Sequence, residues 1–323
     1  MNQHKGWILV TGGCGFIGSH TVARLRQANY AVVVIDNLSS GKLANLAQWR
    51  QDPWVKIVIA DISDGLIVPF ARSQVAGDQL KGIIHLAAQV SVVSSLQNPL
   101  DDGRNNYQGT LQVLEFARFY QVPRVVMASS CAVYGDVTQL PVAESTATRP
   151  ISPYGTNKLC GEHLFGCYQR VHGVSCMPLR FFNVYGPRQD PSNPYSGVIS
   201  IFMQRCRDQQ PLTIYGDGEQ TRDFIYVADV ADALAVALLE RTELVEPLNL
   251  GTGVEITINQ LAQQILQQAA SQQAISHQRS RHGDIRRMVA DTCQLHQQLQ
   301  WRSQTDLATG LQATWQWFEQ SNC

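Results

Sequence analysis

The sequence lacks the features that mark membrane proteins and nucleic-acid-binding proteins. No apolar run approaches the roughly 20 residues that a helix needs to cross a bilayer, and no charged-then-apolar signal precedes the first predicted strand. Basic residues number 25 and acidic residues 26, with no basic stripe interleaved with aromatics. We therefore expect neither nucleic acid nor a membrane as a partner, and we expect a cytoplasmic protein.

Cysteine is present but without a pattern. The eight cysteines are scattered along the chain and include no Cys-x-x-Cys pair. That spacing predicts neither a zinc site nor a disulfide framework, so we expect no bound metal. Most of the cysteines are interpreted as small buried apolar residues.

Short apolar runs alternate with helical patterns through the first half of the chain. This alternation predicts a parallel sheet, and runs that are apolar throughout are typical of strands covered by helices on both faces. The predicted strands are residues 7–10, 31–35, 55–60, 82–86, 124–128 and 174–179. The predicted fold class is therefore α/β, with a doubly wound parallel sheet.

A glycine-rich run, Gly12-Gly13-Cys14-Gly15-Phe16-Ile17-Gly18, follows the first predicted strand. Glycines let the backbone approach a dinucleotide pyrophosphate, and the N-terminus of the next helix favours the anion. Asp36 ends the second predicted strand, where a carboxylate accepts hydrogen bonds from ribose hydroxyls and repels a 2′-phosphate. The pattern predicts a Rossmann-type site for NAD rather than NADP.

A tyrosine and a lysine lie four residues apart, at Tyr154 and Lys158, on one face of a predicted helix. Ser152 and Pro153 are typical of an N-cap and a first helical residue. Ser130 follows the fifth predicted strand, at the sheet edge that faces ligands. We predict that Tyr154 is a base, that Lys158 and the positive nicotinamide ring both favour its phenolate and so lower its pKa, and that Ser130 orients a substrate hydroxyl. Together with the glycine run, these residues indicate a redox enzyme.

The sequence pattern changes beyond about residue 181, where predicted loops that contain proline and glycine separate shorter helical patterns. A chain of 323 residues suits two domains of about 150 residues each. We predict an NAD-binding Rossmann domain over 1–180 and a smaller α/β substrate domain over 181–323, with a return of residues near 222–240 to the first domain left open. Helices are predicted over 228–239, 259–270 and 307–318, the last with a core stripe of Leu311, Trp315 and Phe318.

These motifs, together with residues 36–41, 61–62, 85–88 and 106–110, closely resemble the extended short-chain dehydrogenase/reductase family, nearly end to end. The resemblance implies that Asp61 contacts the adenine and that Asn106 supports the central helix. His85 is interpreted as a hydrogen-bonded core histidine rather than a catalytic one. The implied NAD-binding residues are Gly12, Gly15, Phe16, Ile17, Gly18, Asp36, Asn37, Ser40, Gly41, Asp61, Ile62, Leu86, Ala87, Ala88, Asn106, Tyr154 and Lys158.

Within that family the chain looks like the nucleotide-sugar 4-epimerases, because residues 180–191, 216–224 and 281–285 match their longer motifs. Such enzymes pass through a transient 4-keto sugar that turns over in the pocket and takes the hydride back on its other face. By resemblance, arginines would bind the diphosphate through their planar fork. The implied substrate-binding residues are Ser130, Asn183, Val198, Tyr215, Arg222, Arg281, Asp284 and Met288.

The stretch 188–199 resembles epimerases of surface polysaccharide synthesis, which favours UDP-N-acetylglucosamine and UDP-N-acetylgalactosamine as the substrate pair. UDP-glucose and UDP-galactose stay open as further or sole substrates. Met288 falls at a pocket-wall position of the family, where we hypothesise that a flexible thioether accommodates the acetamido group. The alternative is a core methionine remote from the substrate.

Three rival functions compete with the epimerase interpretation. Nucleotide-sugar 4,6-dehydratases carry an Asp-Glu pair after the hydroxyl residue, and here Cys131-Ala132 stands there, which removes the acids that elimination needs. UDP-glucuronate-modifying enzymes are disfavoured similarly. A non-catalytic NAD sensor has no use for Ser130, Tyr154 and Lys158 together. Family members are often homodimers through a helix bundle, which the resemblance implies and the sequence does not establish.

Overall fold

The computed structural model describes residues 4–191, 197–239, 246–280 and 285–320. The strands are β1 (Trp7–Thr11), β2 (Ala31–Asp36), β3 (Val55–Ile59), β4 (Leu80–His85), β5 (Arg124–Ser130), β6 (Ser175–Phe181), β7 (Asn183–Tyr185), β8 (Leu212–Tyr215), β9 (Thr221–Arg222), β10 (Phe224–Tyr226), β11 (Leu248–Leu250), β12 (Ile256–Thr257) and β13 (Ile275–Gln278).

The helices are α1 (Phe16–Gln27), α2 (Ile67–Ala71), α3 (Val92–Gln97), α4 (Pro99–Asp102), α5 (Gly109–Phe119), α6 (Pro153–His172), α7 (Val198–Arg207), α8 (Val227–Leu239), α9 (Ile258–Gln268), α10 (Cys293–Leu299) and α11 (Leu307–Gln320). A π-helical segment, Gly103–Gln108, joins α4 to α5. Within the described ranges, no helix is both long and apolar enough to cross a membrane.

Seven parallel strands form the central sheet in the order β11-β6-β5-β4-β1-β2-β3. The chain moves from β1 to β2 and β3 on one side and continues with β4 on the other, so the strand order reverses beside β1. Such a reversal leaves a crevice at the carboxyl ends of the two strands, where Thr11 lies beside His85. The doubly wound α/β sheet predicted from the sequence is confirmed.

Side chains alternate between two apolar clusters, one on each face of the sheet. In β1, Ile8 belongs to one cluster and Leu9 to the other. Helices α1 and α8 cover the first face, where Leu234 is fully buried, and α5 and α6 cover the second with Phe165. Burial of each such side chain stabilises the fold by about 1.5–3 kcal/mol, which explains why several strands are apolar throughout.

A third apolar cluster joins α7, α9 and α11 outside the sheet. Leu311 and Phe318 are buried in it, and Trp315 packs against it, so the predicted core stripe is confirmed. The chain nevertheless returns to the sheet after this cluster begins, because α8 packs on α1 and β11 pairs with β6. Strand β11 was not predicted from the sequence. The domain boundary at residue 180 stays a prediction.

Candidate active site

The turn after β1 allows an unusually close approach of two backbone segments. Gly12 has a φ of +70°, and a Cβ there would lie 2.7 Å from the backbone nitrogen of Ala87. A Cβ on Gly18 would overlap the Gly12 carbonyl oxygen. Gly15 is the N-cap of α1 and offers no side-chain cap. The N–H groups of the first helical turn, which begins at Phe16 and Ile17, therefore lack an intrahelical acceptor and can bind an anion.

Asp36 lies at the end of β2 beside this turn and is 6% exposed. Its carboxylate accepts hydrogen bonds from the backbone nitrogens of Cys14 and Leu38, both at 2.8 Å, and Gly41 lies against it. Burial raises the pKa of Asp36, and the two backbone hydrogen bonds oppose that rise. Each carboxylate oxygen has a second lone pair that can accept a hydrogen bond from a ribose hydroxyl.

Asn37 connects the loop after β2 to the end of β3. Its Nδ2 donates to Asp61 Oδ2 at 3.0 Å, and Asp61 Oδ1 accepts from the backbone and hydroxyl of Ser63. Burial raises the pKa of Asp61, but the hydrogen bonds outweigh it and leave the pKa below its usual range. Ile62 is buried in the second core cluster, and Ser40 is exposed on the loop.

The residues after β4 lie across the crevice from the glycine turn. Leu86 and Ala87 donate their backbone N–H groups to Thr11 Oγ1, each at 3.2 Å, and half-buried Ala88 follows them. This hydroxyl therefore holds the loop against the end of β1. The two small alanines keep the space above Gly12 free of bulky side chains.

Helix α6 begins as the sequence predicts. Ser152 Oγ accepts from the backbone nitrogen of Gly155 at 3.1 Å, and Pro153 is the first helical residue. Gly155 allows close packing of the helix on the turn after β5, because a Cβ there would lie 2.6 Å from the Ala132 carbonyl oxygen. The close packing brings Tyr154 to the end of β5.

The structure brings Ser130, Tyr154 and Lys158 together at that strand end. The Ser130 side chain hydrogen-bonds to the Tyr154 phenol. Lys158 Nζ donates to the Ala128 carbonyl oxygen at 2.9 Å and lies 5.9 Å from the centroid of the Tyr154 ring. Tyr154 is 9% exposed and Lys158 is 7% exposed.

Burial dominates the pKa values of this pair. It lowers the pKa of Lys158 to about 8, against the opposing charges of two nearby carboxylates. It raises the pKa of Tyr154 to about 12, although the hydrogen bond from Ser130 favours the phenolate. Desolvation of a buried phenolate is therefore the largest effect on the pKa of Tyr154 in this structure, and the lowering expected from Lys158 together with a bound nicotinamide stays a prediction.

Asn106 lies within the π-helical segment and is 3% exposed. Its Nδ2 donates to the Gln89 carbonyl oxygen and to Asp102 Oδ1, both at 2.9 Å. Asp102 also accepts from Asn157 on α6. Asp102 was not predicted as a site residue, because two adjacent aspartates at the start of a helix are typical of a solvent-exposed first turn.

A buried ion pair lies behind the site. Glu162, one turn after Lys158 on α6, binds Arg180 of β6 with a distance of 2.7 Å between Oε2 and Nη2. Ser129 donates to Glu162 Oε1 at 2.5 Å, and Arg180 Nη1 donates to the Tyr134 hydroxyl at 2.8 Å. The ion pair therefore connects α6 to both β5 and β6.

Two of the predicted substrate residues line one small cavity. Asn183, which begins β7, and Val198, which begins α7, meet there beside Phe224. Asn183 Oδ1 is buried and has no hydrogen-bond partner among the described residues. A buried acceptor without a partner costs stability unless a ligand or water satisfies it.

Arg222 and Met288 both lie near Cys131, the residue after Ser130. Arg222 Nη1 donates to the backbone carbonyls of Thr221 and Ile285, both at 2.7 Å. Burial raises the pKa of the Cys131 thiol to about 11, and the nearby Arg222 charge opposes that rise. Met288 is 2% exposed and belongs to an apolar cluster against which Cys131 packs.

The remaining predicted substrate residues are Tyr215, Arg281 and Asp284. Tyr215 ends β8, and its backbone carbonyl accepts from Gln220 Nε2 at 2.7 Å. Arg281 and Asp284 lie outside the described residues. Their roles stay predictions.

The sequence and the fold of this chain are similar to those of known proteins. Residues 9–314 match the family model described as GDP-mannose 4,6 dehydratase. The chain belongs to this family. The predicted membership of the extended short-chain dehydrogenase/reductases is confirmed.

Individual members of the family are similar over nearly the whole chain. The putative UDP-glucose 4-epimerase of Methanocaldococcus jannaschii is 39% identical over 316 residues, which cover 98% of this chain and 99% of that protein. The structure of a UDP-N-acetylglucosamine 4-epimerase from Methanobrevibacter ruminantium, in complex with UDP-N-acetylmuramic acid, has a TM-score of 0.90 at 33% identity, with coverage of 98% and 99%. A UDP-glucose 4-epimerase from Thermus thermophilus in complex with NAD has a TM-score of 0.87 at 34% identity, with the same coverage.

His85 is a hydrogen-bonded core histidine in this family member, as interpreted from the sequence. Thr110 Oγ1 donates to the Asn106 carbonyl oxygen at 2.6 Å, so it accepts from His85 Nε2 at 3.1 Å. The network therefore assigns the proton to Nε2, and Nδ1 accepts from Thr11 Oγ1 at 2.8 Å. Burial lowers the pKa of His85 to about 3, and the Lys158 charge adds to that effect.

The His85 environment predicts acid sensitivity of the fold. The unfolded chain takes up a proton on this histidine near pH 6.5, while the folded chain resists protonation down to about pH 3, so stability falls as the pH falls between these values. From pH 7 to pH 5 the loss is about 2 kcal/mol for one such group. We expect His85→Gln to reduce the difference in unfolding free energy between these pH values by that amount, measured by urea denaturation. The same change at exposed His277 should leave the difference unaltered, and equal differences for His85→Gln and the wild type would contradict the assignment.

Proposed function

We propose that the protein is an NAD-dependent UDP-sugar 4-epimerase that interconverts UDP-N-acetylglucosamine and UDP-N-acetylgalactosamine. The observation that carries the reaction class is the convergence of Ser130, Tyr154 and Lys158 at the sheet edge beside the glycine turn. The similar proteins named as 4-epimerases support the same reaction class. The N-acetylated substrate rests on the likeness to a UDP-N-acetylglucosamine 4-epimerase and on Met288.

The crevice residues fit NAD. The open N-terminus of α1 and the close approach of Gly12 to Ala87 suit a pyrophosphate, and Asp36 suits ribose hydroxyls. Asp61 would contact the adenine. The nicotinamide, when bound, supplies a reversible hydride acceptor for sugar C4 and a positive charge beside the phenol.

The side chains of this protein handle the proton. Tyr154 takes the proton of the sugar C4 hydroxyl as hydride leaves the same carbon, and returns it to the carbonyl oxygen of the 4-keto sugar in the reverse step. Because burial raises the pKa of Tyr154 to about 12, the phenolate depends on positive charge nearby. Lys158 supplies one such charge below its pKa of about 8, and Ser130 orients the hydroxyl.

The substrate is held from its diphosphate end. Arg222 offers a cation for the diphosphate beside Cys131. Asn183 Oδ1, an acceptor without a partner among the described residues, suits an O–H or N–H donor of the substrate instead, and Asn183 and Val198 line one cavity. Anchoring through the diphosphate leaves the sugar ring free to turn over, as a 4-epimerase requires.

The reaction is tested by an NMR assay of the purified protein with NAD and no reductant. UDP-N-acetylglucosamine and UDP-glucose are supplied separately, and the C4 configuration and any loss of water are followed. A mixture of 4-epimers from the N-acetylated sugar is the expected result. Turnover of UDP-glucose alone would overturn the proposal and indicate a plain-hexose epimerase. A 4-keto-6-deoxy product would indicate a dehydratase. No turnover of either sugar would indicate a non-catalytic NAD-binding protein.

Met288 tests the sugar preference. Met288→Tyr places a larger, less adaptable side chain in the cluster that touches Cys131, so turnover of the N-acetylated sugar should fall by roughly tenfold or more relative to UDP-glucose, as expected when a pocket loses space for a small group. Met288→Leu keeps the volume and should keep the ratio. An unchanged ratio in Met288→Tyr would identify Met288 as a core residue remote from the substrate.

Dimer formation and a cytoplasmic location stay predictions. Exposed apolar side chains on α3 and α4, namely Val93, Leu96 and Leu100, would suit a second copy of the chain. Sedimentation equilibrium measures the mass in solution, and a monomer at micromolar concentration would remove the dimer from the proposal.

A further inference from the structure

Asp102 is a fully buried carboxylate whose hydrogen-bond donors, within the part of the chain that the structure describes, are all neutral amides. It is 0% exposed. Oδ1 accepts from Gln89 Nε2 at 2.7 Å and from Asn106 Nδ2 at 2.9 Å, and Oδ2 accepts from Asn157 Nδ2 at 2.6 Å. A buried charge without a cation is costly, so the question is which positive group compensates it.

Lys158 is the buried cation on which the Asp102 charge acts. Among the described residues, neither Asp102 nor Lys158 forms an ion pair within 4.0 Å. Glu162, the second carboxylate near Lys158, is already paired with Arg180 at 2.7 Å. Asp102 is therefore the carboxylate acting on Lys158 that has no cation bound to it among the described residues.

We propose that Asp102 is a positioning residue that fixes α6 at the site and supplies the counter-charge of the Lys158 ammonium. The inference rests on the proposed roles of Tyr154 and Lys158. Asn157 precedes Lys158 directly, so its hydrogen bond to Asp102 holds the helix at the lysine itself. Gln89, through its bond to the same carboxylate, extends this tether to the loop after β4.

The charge of Asp102 determines over which pH range Lys158 stays protonated. Besides Asp102, the groups around Lys158 are the paired Glu162, Tyr154 on its own helix and His85 of β4, which stays neutral above about pH 3. Removal of the Asp102 charge leaves the ammonium desolvated without the main charge that stabilises it. Lys158 then loses its proton at lower pH. Tyr154 also loses its proton at lower pH, because the Asp102 charge disfavours the Tyr154 phenolate.

The first experiment measures Lys158 directly, without cofactor or substrate. The chain has only five lysines, at positions 5, 42, 56, 81 and 158, so protein labelled with ¹³C at lysine Cε gives a simple spectrum in which Lys158→Met assigns the resonance. We expect the Asp102→Asn protein to titrate at least about one pH unit lower than the wild type, the range for loss of a nearby opposite charge. Asp101→Asn, the exposed neighbour on α4, should titrate as the wild type. Equal titration of Asp102→Asn and the wild type would overturn the proposal.

The second experiment is the pH profile of kcat/KM for 4-epimerisation. In Asp102→Asn the high-pH decline in kcat/KM should begin at a lower pH than in the wild type. A merely structural role of Asp102 would reduce kcat/KM by the same factor at every pH. Asn157→Ala leaves the carboxylate in place and keeps the proposal falsifiable if Asp102→Asn does not fold. It should lower kcat by roughly tenfold, as expected when a reacting group is misplaced, with the high-pH limb unmoved. A wild-type kcat in Asn157→Ala would remove the positioning role.

Failure of the proposed function is distinguishable from failure of this inference. A wild-type protein without 4-epimerase activity would leave the lysine titration as a valid test of the Asp102 charge. An active wild type with the same Lys158 titration and the same pH profile in Asp102→Asn would refute the inference alone.

Discussion

The Tyr154→Phe protein is expected to lose 4-epimerase activity by roughly 10³-fold in kcat, the typical contribution of a positioned acid–base group. The change removes only the phenolic oxygen. The ring stays in its buried place beside Ser130, and α6 keeps its N-cap, so NAD affinity and thermal stability should stay close to those of the wild type. The measurement is the NMR assay of C4 configuration, together with NAD titration of both proteins.

Tyr168→Phe is the matched control, because Tyr168 lies on the same helix and its hydroxyl donates to Glu115 away from the site. Its kcat should equal that of the wild type. A Tyr154→Phe protein that retains more than about one tenth of wild-type kcat would show that another group moves the proton, since general acid–base catalysis is worth at least about 10²-fold. Biological function that survives in Tyr154→Phe without turnover would favour the NAD-sensor alternative.

Arg180→Met is expected to reduce the unfolding free energy by about 3–5 kcal/mol, the usual cost of removing one partner of a buried ion pair. Arg180 and Glu162 have side chains only 6% and 4% exposed. The substitution leaves a carboxylate buried with Ser129 as its remaining donor, and the Tyr134 hydroxyl loses its bond to the guanidinium. Urea denaturation at pH 7 measures the effect.

Arg118→Met tests whether burial is the cause. Arg118 pairs with Glu115 on α5, and both side chains are more than two-fifths exposed, so water screens the charges and no measurable loss is expected. The double substitution Arg180→Met with Glu162→Leu should recover part of the lost stability, because it removes the stranded charge. A loss in Arg180→Met no greater than that in Arg118→Met would show that the buried pair does not stabilise the fold.

Local signals explain most of the fold that the sequence predicts. The six predicted strands and the start of α6 depend on apolar runs and on Ser152-Pro153, which act within a few residues. β11 escaped prediction because three residues, Leu248–Leu250, carry too little pattern to distinguish a strand from a loop. Its place in the sheet depends on pairing with β6, a contact between distant parts of the chain.

The candidate site divides in the same way. The glycine turn, Asp36, Ser130, Tyr154 and Lys158 are recognisable because their spacing reflects one turn or one strand end. Asp102 is not, since its burial depends on three amide donors from separate segments. The largest effect on the Tyr154 pKa could not be predicted from the sequence, because charges are visible in a sequence and desolvation is a property of the packed fold.

The π-helical segment between α4 and α5 determines the angular position of the turn before it. A π turn holds more residues than an α turn, and Asp102 lies immediately before it. Regular α winding of the same residues, with none deleted, would rotate the preceding turn by about 100° around the axis, because the extra residue would no longer be taken up in the π turn. Asp102 would then point away from Asn157, so the irregular winding and the correct angular phase of the carboxylate are inseparable.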